Sequence, residues 1–444
     1  MRSTIMASLF LALAATGAAQ TARLDEVVQY SVAGKKFMGS VLIARGDSLL
    51  LDQGYGFADV DRKIPNTPAT RFRIGSLTKQ FTAVCILLLE ERGKLRLDDP
   101  IKNYLPDAPA AWEKITFFHL LTHSSGIPDL LAFPEIAAAQ QNPATPAELV
   151  AYFRDKPLEF QPGGNARYSN SGFILLGYLI EKISGQSYAE FLQKNIFDPL
   201  GMADTGYDST AVAIAPRALG YATGPQGIVP AAYTDMTRPF SAGGLYSTTH
   251  DLLRWQQQLY EGKLLQPASL KKMTTPTKHG PGLGIGVGFK PRKVYLHDGR
   301  IAGFESHLAY YPETKTSVIV LGNLDGVGTS DIVPKLTAVA FGETVVLPSE
   351  RPAISLPREK LAQYAGDYQV SPTISLIISL AGGQLLIEVP GQAPKEPLFA
   401  ASERKFFLRS EETEIEFSSN QKGEISSLVA RGPGGRQLMA VRKR

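Results

Sequence analysis

The sequence predicts an α+β fold: an antiparallel sheet flanked by helices with a mainly helical subdomain, followed by a C-terminal all-β barrel or sandwich. Strand patterns occur early, at 39–45 and 48–53, and return between 284 and 322. The stretch between them, about 77–244, has mostly helical signals. The early and late strands are therefore expected to form one sheet, interrupted by a helical insertion.

Individual elements follow from turn and cap residues. Gly46-Asp47 joins the first two strands as a hairpin, and Thr145-Pro146 opens a helix with a cap and a first-turn proline. Gly185 closes another helix. The remaining predicted helices are 23–30, 76–92, 117–123, 147–154, 171–183 and 331–341, and the remaining predicted strands are 71–74, 284–290, 293–297, 306–311 and 316–322.

The start of the chain has the pattern of a secretory signal. Arg2 precedes an apolar run at 5–15, and Gly17-Ala18-Ala19 supplies small residues for cleavage, so residues 1–19 are assigned to a signal peptide. The run is shorter than the ~20 residues that cross a membrane, which argues against a stable membrane anchor. We therefore expect a periplasmic or secreted protein.

Proline and turn patterns divide the rest of the chain. We assign 20–346 to a catalytic domain, 347–357 to a proline-rich linker and 358–444 to a β domain. In this last domain short alternating segments are separated by Gly or Asn turns, which is typical of small barrels and sandwiches. The predicted strands are 373–380, 384–389, 405–408, 414–417, 425–429 and 438–442.

Composition excludes several classes of function. The 444 residues are 44% hydrophobic and 20% charged, as expected for a globular protein, and a net charge of +4 gives no reason to expect nucleic acid. Cys85 is the only cysteine, so no intramolecular disulfide can form. His119 and His123, predicted to be four apart on one helix, lack an accompanying metal motif. We expect neither a metal nor a cofactor.

Ser76-Leu77-Thr78-Lys79 is the most informative segment. It lies where a short strand gives way to a long apolar helix. Residues three apart share one helix face, so the amine of Lys79 can reach the hydroxyl of Ser76. A serine next to a base is an activated nucleophile.

Two further motifs accompany it. Tyr168-Ser169-Asn170 follows a Pro/Gly-rich loop, and His297-Asp298-Gly299 lies in a strand-like segment. With these three motifs in order, the chain resembles the serine β-lactamase and penicillin-binding protein superfamily, on the side of class C β-lactamases, DD-peptidases, esterases and D-aminopeptidases. The segment 123–128 resembles a loop that this family keeps beside the pocket, where its role would be structural, and the segment 364–368 resembles the opening strand of the lipocalin-like barrels found in such relatives.

The resemblance implies roles for the motif residues. Ser76 would be the nucleophile that forms an acyl-enzyme, with either Lys79 or Tyr168 as the base, and the sequence does not choose between them. Asn170 would hydrogen-bond Lys79 and the substrate amide or carbonyl. The oxyanion hole would use the backbone N–H groups of Ser76 and Arg300.

The third motif departs from the lactamase pattern, because His297 stands where lactamases have a lysine. A histidine is mostly neutral at pH 7, so it binds a substrate carboxylate less well than a lysine does. Gly299 allows substrate to approach the strand closely. This motif favours the esterase and D-aminopeptidase branches.

Two other catalytic schemes for a serine hydrolase lack their motifs in this sequence. The sequence has no complete Gly-x-Ser-x-Gly elbow, and it has no Glu-x-x-Leu-Asn to supply a deacylating glutamate.

The leading hypothesis is an exported serine hydrolase that cleaves small esters, amides or D-amino-acid peptides. One alternative is a penicillin-binding protein, DD-carboxypeptidase or β-lactamase with slow deacylation. Another is a non-catalytic binding protein that acts through its C-terminal β domain. The expected partner is a small molecule or short peptide, and the C-terminal domain also allows a homo-oligomer.

Overall fold

A computed structural model of the chain describes residues 2–208, 217–224, 227–262, 264–326, 328–391, 393–432 and 437–443, with side chains from residue 17 onward except 393 and 394. The chain divides into two compact units, Met1–Phe341 and Gly342–Arg444. Each unit has a hydrophobic core of its own.

A six-stranded antiparallel sheet organises the first unit, and its strands come from both ends of that unit. They are β1 Gly39–Arg45, β2 Ser48–Tyr55, β3 Gly286–Gly288, β4 Val294–Ile301, β5 Phe304–Tyr311 and β6 Thr316–Gly322, in the spatial order β3-β4-β5-β6-β1-β2. Strand β1 pairs with both β2 and β6, which confirms the predicted split sheet. All seven residues of β6 are buried, so both of its faces are covered.

Twelve helices of the described residues surround this sheet or form the insertion. They are α1 Arg2–Ala33, α2 Thr78–Glu91, α3 Phe117–Leu121, α4 Pro134–Ala139, α5 Pro146–Arg154, α6 Asn170–Ser184, α7 Tyr188–Leu192, α8 Asp198–Leu200, α9 Phe240–Gly243, α10 Thr249–Tyr260, α11 Pro267–Thr274 and α12 Gly328–Ala340. Helices α1 and α12 pack against each other and against the sheet, while α10 packs on β1 and β6. Short strands complete the unit at Phe57–Asp59, Ile64–Pro65, Phe72–Arg73, Gly206–Tyr207, Tyr221–Gly224, Gly227–Pro230, Leu245–Ser247 and Leu324–Asp325.

Helix α2 runs through the core of the insertion. Every residue from Thr78 to Leu89 is buried, and the ring of Phe81 stacks on Trp255 at a centroid distance of 4.0 Å. Its first turn carries Lys79, so a lysine is carried into the interior by the same packing that holds the helix.

Cap residues set the limits of helix α6, which follows the second motif. The hydroxyl of Ser169 accepts a hydrogen bond from the N–H of Gly172 at 3.3 Å, and Gly185 ends the helix with φ of 72°. Asn170 is therefore held in the first turn, where its side chain points back toward helix α2.

The prediction of one helix over 117–123 is wrong. Helix α3 ends at Leu121, and His123 lies beyond it with a left-handed φ of 56°. His119 instead closes a capping box with Thr116 at the helix start. The two histidines therefore do not share a helix face.

The N-terminal helix is longer than the predicted 23–30, because α1 continues from Arg2 to Ala33. Leu24, Val27 and Val28 are buried in the unit, and the side-chain amide of Gln20 donates to the carbonyl of Val339 at 2.8 Å. Among the described residues, no helix has both the length and the apolar character needed to span a membrane. The signal peptide at 1–19 stays a prediction.

A closed barrel of eight antiparallel strands forms the second unit, and this decides between the predicted barrel and sandwich. Tyr364, Phe406 and Phe417 meet in its core, with the rings of Tyr364 and Phe417 4.7 Å apart. Its strands are β7 Gly366–Ser371, β8 Ile374–Ala381, β9 Gln384–Val389, β10 Ala393–Ala400, β11 Lys405–Phe407, β12 Glu414–Ser419, β13 Ile425–Arg431 and β14 Gln437–Arg442, preceded by helix α13 Arg358–Ala362.

Candidate active site

Ser76 lies in a tight turn at the start of helix α2. The strand Phe72–Arg73 leads through Gly75, which has a left-handed φ of 50°, into a 3₁₀ turn, Gly75–Leu77, that continues as α2. Glycine adopts this φ without steric cost. The turn presents the partly exposed hydroxyl of Ser76 at the end of a buried helix.

Lys79 is fully buried and makes three polar contacts. Its Nζ lies 3.1 Å from Ser76 Oγ, 2.8 Å from Asn170 Oδ1 and 2.7 Å from the carbonyl oxygen of Ala242. Burial lowers the pKa of Lys79 to about 7, and the Asp129 carboxylate partly opposes this shift. Near pH 7 the amine is therefore neutral in a large fraction of molecules.

Tyr168 reaches the same hydroxyl from a loop far away in sequence. Its OH lies 2.8 Å from Ser76 Oγ, although 45% of the residue's surface is exposed at the cleft. Desolvation raises the pKa of Tyr168 to about 12, which the hydrogen bond to Ser76 partly offsets. The phenol is therefore protonated at neutral pH and can donate to Ser76.

Asn170 links Lys79 to a carboxylate. Its Oδ1 accepts from Lys79, and its Nδ2 donates to Asp129 Oδ2 at 3.0 Å. This second bond fixes the orientation of the amide, so the oxygen faces Lys79. Asp129 directly follows the loop 123–128, and the sequence reasoning did not include it.

The third motif lies on strand β4 beside Ser76. The ring of His297 is 6.5 Å from that of Tyr168, and its Nδ1 contacts the backbone oxygen of Asp298 at 2.6 Å. Burial, and secondarily the nearby Lys79, lowers the pKa of His297 to about 4. His297 is consequently uncharged at neutral pH, unlike the lysine of lactamases.

The backbones around Ser76 and Arg300 are in close contact. A Cβ on Gly299 would lie 2.1 Å from the Ile74 oxygen, and one on Gly75 would lie 2.9 Å from the Arg300 nitrogen. Ser306 Oγ also donates to the Ile74 oxygen at 2.8 Å. Only glycines allow this approach, which places the backbone of Arg300 against the turn that carries Ser76. The N–H groups of these two residues are the ones expected to form an oxyanion hole.

The side chain of Arg300 lies away from this contact. Its guanidinium binds the carboxylate of Glu305 and the carbonyl of Gly326, 3.0 Å away. Arg300 can therefore serve through its backbone N–H, and its positive charge is already paired.

His123 is a further site residue that the sequence reasoning assigned only to a structural loop. Its ring packs against that of Tyr168 at 4.6 Å, and its Nδ1 accepts a hydrogen bond from the N–H of Ser169 at 3.1 Å. Burial and the nearby Lys79 lower its pKa to about 3, so the ring is neutral. His123 thus packs against Tyr168 and holds the backbone of the loop that carries it.

Two spaces meet at Ser76. A cleft of about 1110 Å³ is lined by Tyr168 and His297, among other residues. A smaller chamber of about 200 Å³ lies on the side of Asn170 and Arg300, between helices of the insertion and the end of strand β4. Among the described residues, no group of three or more His, Cys, Asp or Glu could hold a metal ion.

A sheet split by a helical insertion, with a serine–lysine pair where the two parts meet and a tyrosine over the serine, defines a serine hydrolase of the β-lactamase and penicillin-binding protein class. Residues 24–338 match the beta-lactamase family, and the chain belongs to that family. Residues 350–439 match a second family, described as a domain of unknown function (DUF3471).

Individual relatives agree with this assignment. The chain is 30% identical over 422 residues to penicillin-binding protein 4* of Bacillus subtilis, covering 89% of this chain and 93% of the relative. The octameric penicillin-binding protein homologue of Pyrococcus abyssi is similar in structure, with a TM-score of 0.67 and 28% identity over 95% of this chain and 99% of that one. A D-stereospecific amidohydrolase from Streptomyces matches with a TM-score of 0.61 and 27% identity, covering 73% and 99%.

Proposed function

We propose that the protein is an exported serine hydrolase that forms an acyl-enzyme on Ser76 and cleaves small esters, amides or D-amino-acid peptides. The observation that carries this proposal is the pair of hydrogen-bond contacts that one hydroxyl makes: Ser76 Oγ lies 3.1 Å from Lys79 Nζ and 2.8 Å from the OH of Tyr168. A hydroxyl placed between an amine and a phenol can lose a proton to one and accept a hydrogen bond from the other.

The contacts of Lys79 favour it as the base in acylation. Asn170 Oδ1 and the Ala242 carbonyl can only accept, so the two N–H bonds of a neutral amine point at them. The lone pair of Lys79 is then directed at the third neighbour, Ser76 Oγ. A pKa of about 7 makes this neutral form available under ordinary conditions.

Tyr168 is suited to donating a proton to the leaving group. With a pKa of about 12 it is a protonated phenol, and its OH lies beside the reacting oxygen on the cleft side. We assign it to protonating the leaving group as the bond to the acyl carbon breaks. A proton then passes from Lys79 to Tyr168, which restores the original protonation states of both residues. Water attacks the acyl-enzyme ester, and the same proton transfers run in the reverse order.

Two observations support the proposed substrate class: the neutral His297 and one relative. A neutral histidine in the cleft offers no fixed cation for a substrate carboxylate on the leaving-group side. The similarity to a D-stereospecific amidohydrolase points in the same direction, toward amides and D-amino-acid substrates rather than penicillins.

Penicillin binding with slow deacylation is the second candidate, favoured by the 30% identity to a penicillin-binding protein along most of the chain. Kinetics separate the two. Repeated turnover supports the hydrolase, whereas a single stoichiometric burst supports a protein that traps its acyl group.

We also propose that the protein works in the periplasm or outside the cell and that it can form a homo-oligomer. The first rests on the signal pattern at 1–19, and the second on the similarity to an octameric homologue. N-terminal sequencing of the exported protein and light scattering of the purified chain test these two points.

The test of the reaction is a panel of 4-nitrophenyl esters and of D- and L-alanyl anilides, assayed with the wild-type protein and Ser76→Ala. We expect turnover in the wild type and none above background in the variant. Equal rates in both proteins would remove the assignment of Ser76.

A further inference from the structure

The small chamber beside Ser76 has mainly apolar walls, and Gln140, Thr234 and one buried cation also line it. Its apolar lining comes from Leu130, Ile136, Ile174, Pro239, Ile301 and Ala302. Arg238 also lines it and is only 8% exposed. Arginine is almost never buried in this way without a paired charge.

The contacts of Arg238 include no close ion pair among the described residues. Its Nε donates to the carbonyl of Asn142 at 2.7 Å, and its Nη1 donates to the hydroxyl of Tyr152 at 3.3 Å. Both partners are neutral, and the guanidinium lies 5.7 Å from the centre of the Tyr152 ring. No carboxylate of the described residues lies within ion-pair distance of it; the exposed Glu148 interacts with it only at longer range, and hydrogen bonds from Thr145, helped by this attraction, lower the pKa of Glu148. A desolvated cation of this kind gains most from a carboxylate that binds its planar fork.

The positions of the two spaces indicate which part of a substrate enters the chamber. Tyr168 and His297 line the cleft and not the chamber, whereas Ser76 and Asn170 line both. The leaving group takes its proton from Tyr168 and therefore departs through the cleft. The acyl substituent, on the other side of the carbonyl carbon, is directed toward the chamber.

The size of the chamber limits that substituent. A cavity of ~150 Å³ accommodates a benzene ring, so about 200 Å³ has room for a short alkyl chain or one small ring. We propose that this chamber is the acyl site and that Arg238 selects acyl groups that carry a carboxylate at the end of a short apolar chain. This inference rests on the proposed function of Ser76.

The experiment compares two esters of the same length, mono-4-nitrophenyl adipate and its neutral counterpart in which the free carboxylate is a primary amide. Hydrolysis by Ser76→Ala is subtracted as background. For the wild type we expect kcat/KM to be about tenfold or more higher for the carboxylate ester, because a bidentate Arg–carboxylate pair is a strong charge-assisted contact. Equal values would overturn the proposal.

Variants test whether Arg238 causes the preference for the carboxylate ester. Arg238→Met keeps the apolar stem and should bring the ratio of the two kcat/KM values to about one, while the neutral ester is still hydrolysed. Arg154→Met is the matched control, because it removes a cation from helix α5, which also carries Tyr152. Arg154 does not line the chamber, so the ratio for this variant should equal the wild-type ratio. A wild-type ratio in Arg238→Met would refute the role of Arg238.

Two further results remain decisive if Arg238→Met does not fold. Arg238→Lys retains the charge but loses the planar fork, so the ratio should fall while staying above one; an unchanged ratio would contradict the proposal. Absence of Ser76-dependent hydrolysis of both esters would instead refute the proposed function itself. Hydrolysis of both through Ser76 with no preference refutes only the role of the chamber.

Discussion

Lowering the pH should abolish hydrolysis, because it protonates the amine of Lys79. The pKa of this buried amine is about 7, and only its neutral form can accept the proton of Ser76. With that pKa the neutral fraction is about 0.9 at pH 8 and about 0.01 at pH 5, so kcat/KM should fall about 90-fold between these values. Because the reactive form is the deprotonated one, activity rises with pH.

The assay is ester hydrolysis across pH 4 to 10, followed at a wavelength where nitrophenol and nitrophenolate absorb equally. The rate should rise to a plateau with one midpoint near pH 7 and should stay level to about pH 10, because the pKa of Tyr168 is about 12. A flat profile would contradict Lys79 as the base. A midpoint near 4 would point to His297 instead.

A substitution at Asp129 checks the origin of this midpoint. The Asp129 carboxylate raises the pKa of Lys79, so Asp129→Asn should move the midpoint to lower pH by about one unit. Asp107→Asn removes an exposed carboxylate of the same subdomain and is the control, with an unchanged midpoint. An Asp129→Asn midpoint equal to that of the wild type would show that Lys79 is not the titrating group.

Three more substitutions test separate parts of the site. Tyr168→Phe should reduce anilide hydrolysis by ~10²- to 10⁴-fold and nitrophenyl ester hydrolysis much less, because only the anilide needs a proton donor; equal losses would argue against this role. His297→Lys should improve kcat/KM for substrates with a carboxylate on the leaving group, and no change would mean that His297 does not set this preference. Gly75→Ala should lower the free energy of unfolding by ~1 to 3 kcal/mol in urea titrations, since its Cβ meets the Arg300 backbone at 2.9 Å. Gly93→Ala, also at positive φ but in open space, should cost less.

The parts of the site that depend on local spacing could be predicted from the sequence. Ser76 and Lys79 are three residues apart at a helix start, and this spacing alone predicts that their side chains meet. Tyr168 and Asn170 are identified by a second motif. Asp129 and Arg238 could not be found in this way, because their importance comes from tertiary contacts with Asn170 and with the chamber. The closeness of Asp129 to the loop 123–128 was the one available signal.

The elements that were missed have identifiable causes. Strand Ala393–Ala400 contains Pro394 and Pro397, and prolines remove the usual strand signal although they are tolerated where no ladder hydrogen bond is needed. Helix α3 ends two residues before the end of the predicted helix 117–123, because the backbone at His123 adopts a left-handed φ. Nothing in the local sequence requires this conformation. By contrast, β1 and β6 were predicted to the residue, because their apolar runs are bounded by clear turns.

The most direct test of the central claim is mass spectrometry of the protein after reaction with a fluorophosphonate probe at pH 8. We predict one covalent adduct per chain, located on the peptide that contains Ser76. Labelling of Lys79→Met, which keeps an unbranched side chain one atom shorter but has no base, should be much slower. An adduct on another residue, or labelling of Lys79→Met at the wild-type rate, would contradict the account of a serine activated by the buried lysine.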